Sequence, residues 1–215
     1  MKHSIRIIST IVVFLFSFSG FAQTSPITVV FEEKFDPPSG PDSVTTFHTT
    51  QGTNVPYWND TSSFSISAPN SYHAKIVPFD SIIFQTDTFS TVGNVFVSLT
   101  FAQICKVHFG QHAYLRVSND NGATWTRLNG SHYSGASPAF PTAGYFNELS
   151  YANPNASPYW GGLTTAGTGS SPSQSWWVGE TFDISSILGN GPSGTANGYS
   201  NCCLLYTSDA ADELR

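Results

Sequence analysis

Short runs of alternating apolar and polar residues recur along the chain from Ile27 to Ile184. In Ile27–Phe35, Val29, Phe31 and Glu33 fall on one face of an expected first strand, and Val30, Glu32 and Lys34 on the other. Asp36-Pro37-Pro38 ends it, since proline cannot donate to a ladder. Thr45–Gln51 reads as a second short strand, and Ser63–Ser67 alternates as a half-buried strand does. Tyr72–Val77 and Ser81–Thr86 follow, separated by Pro78. The most regular stretch is Val95–Leu128, read as two central strands closed by a hairpin turn. Val95, Val97, Leu99 and Phe101 share one face of its first strand; Ala113, Leu115 and Val117 alternate with Tyr114 and Arg116 in its second. Gln174–Ile184 returns to strand after a long stretch of weak periodicity. Short strands at this spacing predict an all-β fold, an antiparallel sandwich or barrel.

Both ends change the picture. Met1–Arg6 is basic, Ile7–Phe18 is apolar, and Gly20-Phe21-Ala22 supplies small residues before Gln23. That layout predicts a secretory signal peptide over 1–22, cleaved after Ala22. The apolar run is shorter than the roughly 20 residues of a spanning helix, so no membrane span is expected after cleavage. At the other end, Cys203–Glu213 resembles the translation of a sequencing-library transposase adapter, a string that recurs at the ends of unrelated metagenomic reading frames. The expected domain is therefore 23–201, truncated at its C-terminal end, with 202–215 a non-native tail outside the fold.

Composition agrees with strands. Val, Ile, Thr and aromatics recur, and strong helix formers are few. The chain carries 8 basic and 14 acidic residues, a net charge of −6. Setting aside Lys2, Arg6 and Arg215 leaves 5 basic; setting aside Asp209, Asp212 and Glu213 leaves 11 acidic, so the charge belongs to the domain. Such a surface argues against nucleic acid and against anionic membranes as partners. Cys105 is the one cysteine clear of the tail, so no internal disulfide is expected, and its strand-like surroundings predict a buried thiol.

Candidate chemistry is sparse. Ser118-Asn119-Asp120-Asn121-Gly122-Ala123-Thr124-Trp125 matches an Asp-box, Ser-x-Asp-x-Gly-x-Thr-Trp. Its residues suit a tight turn, so Ser118, Asp120, Gly122 and Trp125 are assigned a structural role. Tyr57, Trp58, Tyr159 and Trp160 sit in expected loops, where exposed rings can stack on a glycan or anchor a protein. His48, His73, His108, His112 and His132 form no zinc-ligand pattern, and no nucleophile elbow, phosphate loop or catalytic carboxylate pair is present.

Five stretches together resemble one family. They are Phe31-Glu32-x-x-Phe35, Ile104-Cys105-Lys106-Val107, the Asp-box hairpin, Tyr133-x-Gly135, and Trp176-Trp177-x-x-Glu180-x-Phe182-Asp183-Ile184-Ser185. The pattern is similar to an N-terminal jelly-roll module of large secreted Bacteroidetes proteins, many of them exported by the type IX system. The resemblance spans most of Phe31–Gly189 and implies a fold like MAM-type, galactose-binding and carbohydrate-binding jelly rolls. It also implies a structural calcium ion between the first strand and a late one, with Glu32, Glu33, Asp36 and Asp183 as the carboxylates to supply oxygen ligands. Asp42-Ser43-Val44 and Asp80-Ser81-Ile82 resemble the O-glycosylation pattern of the same bacteria. The function expected is a non-catalytic, extracellular binding or adhesion module for a glycan or protein, joined to other domains of a larger secreted or cell-surface protein. The alternative is the accessory domain of a secreted hydrolase or peptidase.

Overall fold

The computed structural model describes residues 28–32, 44–49, 58–63, 65–66, 70–74, 81–107, 110–151, 174–189 and 198–210. Nine strands carry the described fold: β1 (Val44–Thr49), β2 (Asn59–Thr61), β3 (Ser71–His73), β4 (Ser81–Thr86), β5 (Ser98–Gln103), β6 (Gln111–Ser118), β7 (Thr126–Arg127), β8 (Val178–Asp183) and β9 (Cys203–Ala210). Among the described residues, helical structure is confined to one-turn helices α1 (Phe140–Ala143) and α2 (Ser185–Leu188) and a 3₁₀ turn at Gln174–Trp176. Every pairing among the described strands is antiparallel. The all-β expectation holds in that form.

The strands form a five-stranded sheet in the order β1-β4-β9-β6-β7 and two pairs, β2-β3 and β5-β8. Alternation sets which face each strand buries. In β6, Ala113, Leu115 and Val117 are buried in the core as their spacing predicts. In β8, Val178, Glu180 and Phe182 turn inward while Gly179 and Asp183 are exposed. Phe101 of β5 stacks on Phe182 at 6.1 Å and meets Tyr206 of β9 edge-on at 6.4 Å, so both sheets contribute to one core.

Three expectations differ from this architecture. The stretch Val95–Leu128 is not one hairpin of two central strands. β5 pairs along its whole length with β8, Ser98 opposite Asp183 and Gln103 opposite Val178, whereas β6 lies in the five-stranded sheet. The hairpin that does form joins β6 to the two-residue β7. The first predicted strand is described over Thr28–Glu32, and those residues join no sheet. Finally, Cys203–Ala210 does not lie outside the fold. It is the middle strand of the five-stranded sheet, with Leu115 opposite Tyr206 on one side and Phe84 opposite Tyr206 on the other. Leu204, Leu205 and Tyr206 place apolar groups on both faces, which suits a strand covered on both sides.

The weakly periodic stretch after β7 is ordered by packing. Phe140 and Phe146 have no exposed surface, and each ring lies within 5.2 Å of another core ring. Burying side chains of this size contributes about 1.5–3 kcal/mol each. Backbone bonds tie the segment to both sheets: Ala113 and Phe146 exchange amide–carbonyl bonds of 2.8 and 2.9 Å, Ser134 donates to the Thr181 carbonyl at 2.9 Å, and Asp183 donates to that of His132 at 2.7 Å.

Candidate functional site

The nominated aromatic platform divides. Tyr57, Tyr159 and Trp160 lie outside the described residues. Trp58 is half-buried and packs inward. Its indole stacks on Tyr72 at 5.6 Å and 10° and contacts Phe84 and Tyr206 at 5.6 and 6.2 Å. The indole Nε1 is buried without a hydrogen-bond partner. Trp58, the residue before β2, thus joins an aromatic cluster with rings of β3, β4 and β9.

The nominated calcium ligands divide likewise. Glu33 and Asp36 lie outside the described residues, while Glu32 and Asp183 are both exposed. The Asp183 carboxylate accepts a 3.0 Å bond from the Ser185 amide at the start of α2. Bonds from Ser185 hold its pKa below the ordinary value. Among the described residues, no three of His, Cys, Asp and Glu gather as a metal-binding group.

The Asp-box residues build the turn expected of them. Ser118 Oγ accepts from the amides of Asp120 (3.2 Å) and Gly122 (2.8 Å) and donates to Asp120 Oδ1. Asp120 in turn accepts from the Thr124 amide at 2.8 Å and its hydroxyl at 2.6 Å. These bonds to the charged form, led by that from Ser118, pull the Asp120 pKa down to about 2. Asn121 and Gly122 adopt φ of 60° and 80°, the left-handed geometry these residue types tolerate best. The half-buried Trp125 ring lies over Gly122.

The most concentrated polar chemistry was not nominated from the sequence. Glu180, in the middle of β8, is fully buried. One carboxylate oxygen accepts from Gln103 Nε2 at 3.2 Å and from the Tyr151 hydroxyl. The other accepts from the Tyr133 hydroxyl and, at 3.4 Å, from the Ala136 amide. Both tyrosine pKa values are pushed up, by burial first and then by donating to Glu180. Cys105 is buried nearby and its thiol is pushed up to about 12, mainly by desolvation. Four donors around one carboxylate with no exposed surface make a tie that fastens the 133–151 segment to β8 and β5. The available signal was an acid on the inward face between Val178 and Phe182.

Two features face solvent instead. Between β4 and β5 a loop exposes Val92 (50%), Val95 (40%) and Phe96 (89%). The strand expected from Val95 begins at Ser98, which leaves Val95 and Phe96 outside it. The backbone beneath is pinned. Thr91 Oγ1 donates to the Leu188 carbonyl at 2.7 Å, the Asn94 amide to Thr91 O at 2.9 Å, and the Val97 amide to Ser185 Oγ at 2.9 Å. The second feature lies on β6 and β7, where Arg127 lies 4.0 Å over the Tyr114 ring beside Tyr145 and His112.

No known family model, curated protein or solved structure matches this chain.

Proposed function

We propose that the chain is a non-catalytic extracellular binding or adhesion module, a jelly-roll sandwich carried by a larger secreted or cell-surface protein. The observation that carries this reading is the loop at 92–96. A phenylalanine 89% exposed, with exposed Val95 beside it and exposed Val92 in the same loop, gains nothing for the folded monomer. Held on a backbone tied to α2 through Thr91 and Ser185, it is presented without the ordering penalty of a mobile loop. Exposed apolar groups on a rigid support are what a partner surface desolvates on binding. The signal-peptide layout of residues 1–22 supports an extracellular location.

The test is retention of the chain on a panel of immobilised extracellular glycans and matrix proteins, wild type against Phe96→Ser. The substitution removes no core contact, so its melting temperature stays within a degree or two. Retention at least tenfold weaker is expected; equal retention of the two chains overturns the reading.

A further inference from the structure

We infer a second, chemically different site on the sheet: Arg116 and Arg127 form a receptor for the carboxylate of an acidic saccharide. In the β6–β7 ladder the two arginines are direct cross-strand partners. Directly opposed residues on an antiparallel pair share a face, with Cβ atoms about 4.5–5.5 Å apart, and like charges so placed repel. Only five basic residues lie between positions 23 and 201, and two of them are set against each other here. Among the described residues no carboxylate pairs with either guanidinium. A folded chain with an excess of acids that leaves this pair without a carboxylate partner keeps both cations open to an anionic ligand.

The geometry fits a carboxylate on a sugar better than a bare anion. Arg127 is oriented before any ligand arrives. Its guanidinium lies 4.0 Å over Tyr114, and Nε and Nη2 both donate to the Gly144 carbonyl, at 3.4 and 3.2 Å. Arg127 is exposed, and its remaining N–H groups belong to a planar guanidinium that matches the two oxygens of a carboxylate. Tyr145 stands 5.4 Å from the same guanidinium and 4.3 Å from the His112 ring, and both rings are half-exposed beside the fork. Aromatic faces next to a carboxylate receptor take the C–H face of a pyranose. The net charge of −6 disfavours a densely charged polyanion such as nucleic acid.

The probes are a glucuronate-containing oligosaccharide, the same oligosaccharide with its carboxyl groups reduced to alcohols, and acetate, titrated calorimetrically into the full chain at low salt. The acidic oligosaccharide binds; the reduced form binds at least tenfold more weakly; acetate at the same concentration gives no heat. Arg116→Gln weakens the acidic ligand at least tenfold without a change in melting temperature, and Arg127→Gln does the same. Arg116→Gln keeps the test decisive if Arg127→Gln loosens the Tyr114 packing. Equal binding of acidic and reduced ligands, no binding of either, or full binding by Arg116→Gln overturns the inference. Phe96→Ser leaves these titrations unchanged, so the outcome is independent of the 92–96 loop.

Discussion

Replacing Glu180 by glutamine conserves volume and removes one acceptor. The carboxylate has four donors, two on each oxygen: Gln103 Nε2 and the Tyr151 hydroxyl on one, the Tyr133 hydroxyl and the Ala136 amide on the other. A glutamine side chain converts one of those oxygens into an NH₂ donor. Whichever way the amide is turned, the NH₂ group faces two donors and two bonds are lost. Each bond to a charged acceptor contributes about 1.5–3 kcal/mol. Local relaxation lets one donor find another acceptor, so the expected destabilisation is about 3–5 kcal/mol, the range for breaking a buried charged network from one side. That is a large part of the 5–15 kcal/mol by which domains of about this size are usually stable. Tyr151→Phe removes one donor and leaves three, so about 1–2 kcal/mol is expected. The assay is urea unfolding followed by tryptophan fluorescence, with the midpoint falling and the m-value unchanged. A Glu180→Gln chain destabilised by less than about 1 kcal/mol would refute the four-donor account. So would Tyr151→Phe proving the more damaging of the two.

Other outcomes follow from the turn, the thiol and the sheet order. Gly122→Ala forces a Cβ into φ of 80°, 3.3 Å from the Trp125 ring, and is expected to lower stability by about 1–2 kcal/mol; an unchanged melting temperature would argue against the left-handed turn. The folded pKa of Asp120 lies at about 2, below its ordinary 3.8, so its stabilisation is complete above pH 3.8 and is lost as pH falls through 2. Acid titration of stability therefore shows a component in that window for the wild type that Asp120→Asn lacks. With its pKa pushed up to about 12, the Cys105 thiol resists alkylation at pH 8 until the chain unfolds; rapid labelling of the native chain, mapped by mass, would contradict its burial. Truncation after Asn201 removes the strand between β4 and β6 and is expected to abolish cooperative unfolding by circular dichroism. Retention of the full-length melting temperature would contradict the sheet order.

Local pattern was enough for the class of fold and for the faces of several strands. Ala113, Leu115 and Val117 bury as a period of two requires, and Ser118, Asp120 and Gly122 make the turn their chemistry favours. Both follow from interactions spanning a few residues. The same pattern placed Trp58 in a loop, where exposure and inward packing look alike; only the rings of Tyr72, Phe84 and Tyr206 decided between them. Glu180 was legible as an acid on an apolar face, but its four donors come from separate stretches of chain.

What the sequence determined by itself, then, is the β-rich class, the strand faces, the hairpin turn and the acidic balance. Tertiary structure alone decided that β5 pairs with β8 and not β6, that Cys203–Ala210 sits in the middle of a sheet, and that Arg116 stands opposite Arg127. The reason is physical. Alternation records that a strand has a buried side, and it reads the same whichever strand lies next to it. The partner is chosen by long-range packing, through contacts such as Phe101 on Phe182 and Tyr206 against Phe101, which no local pattern encodes.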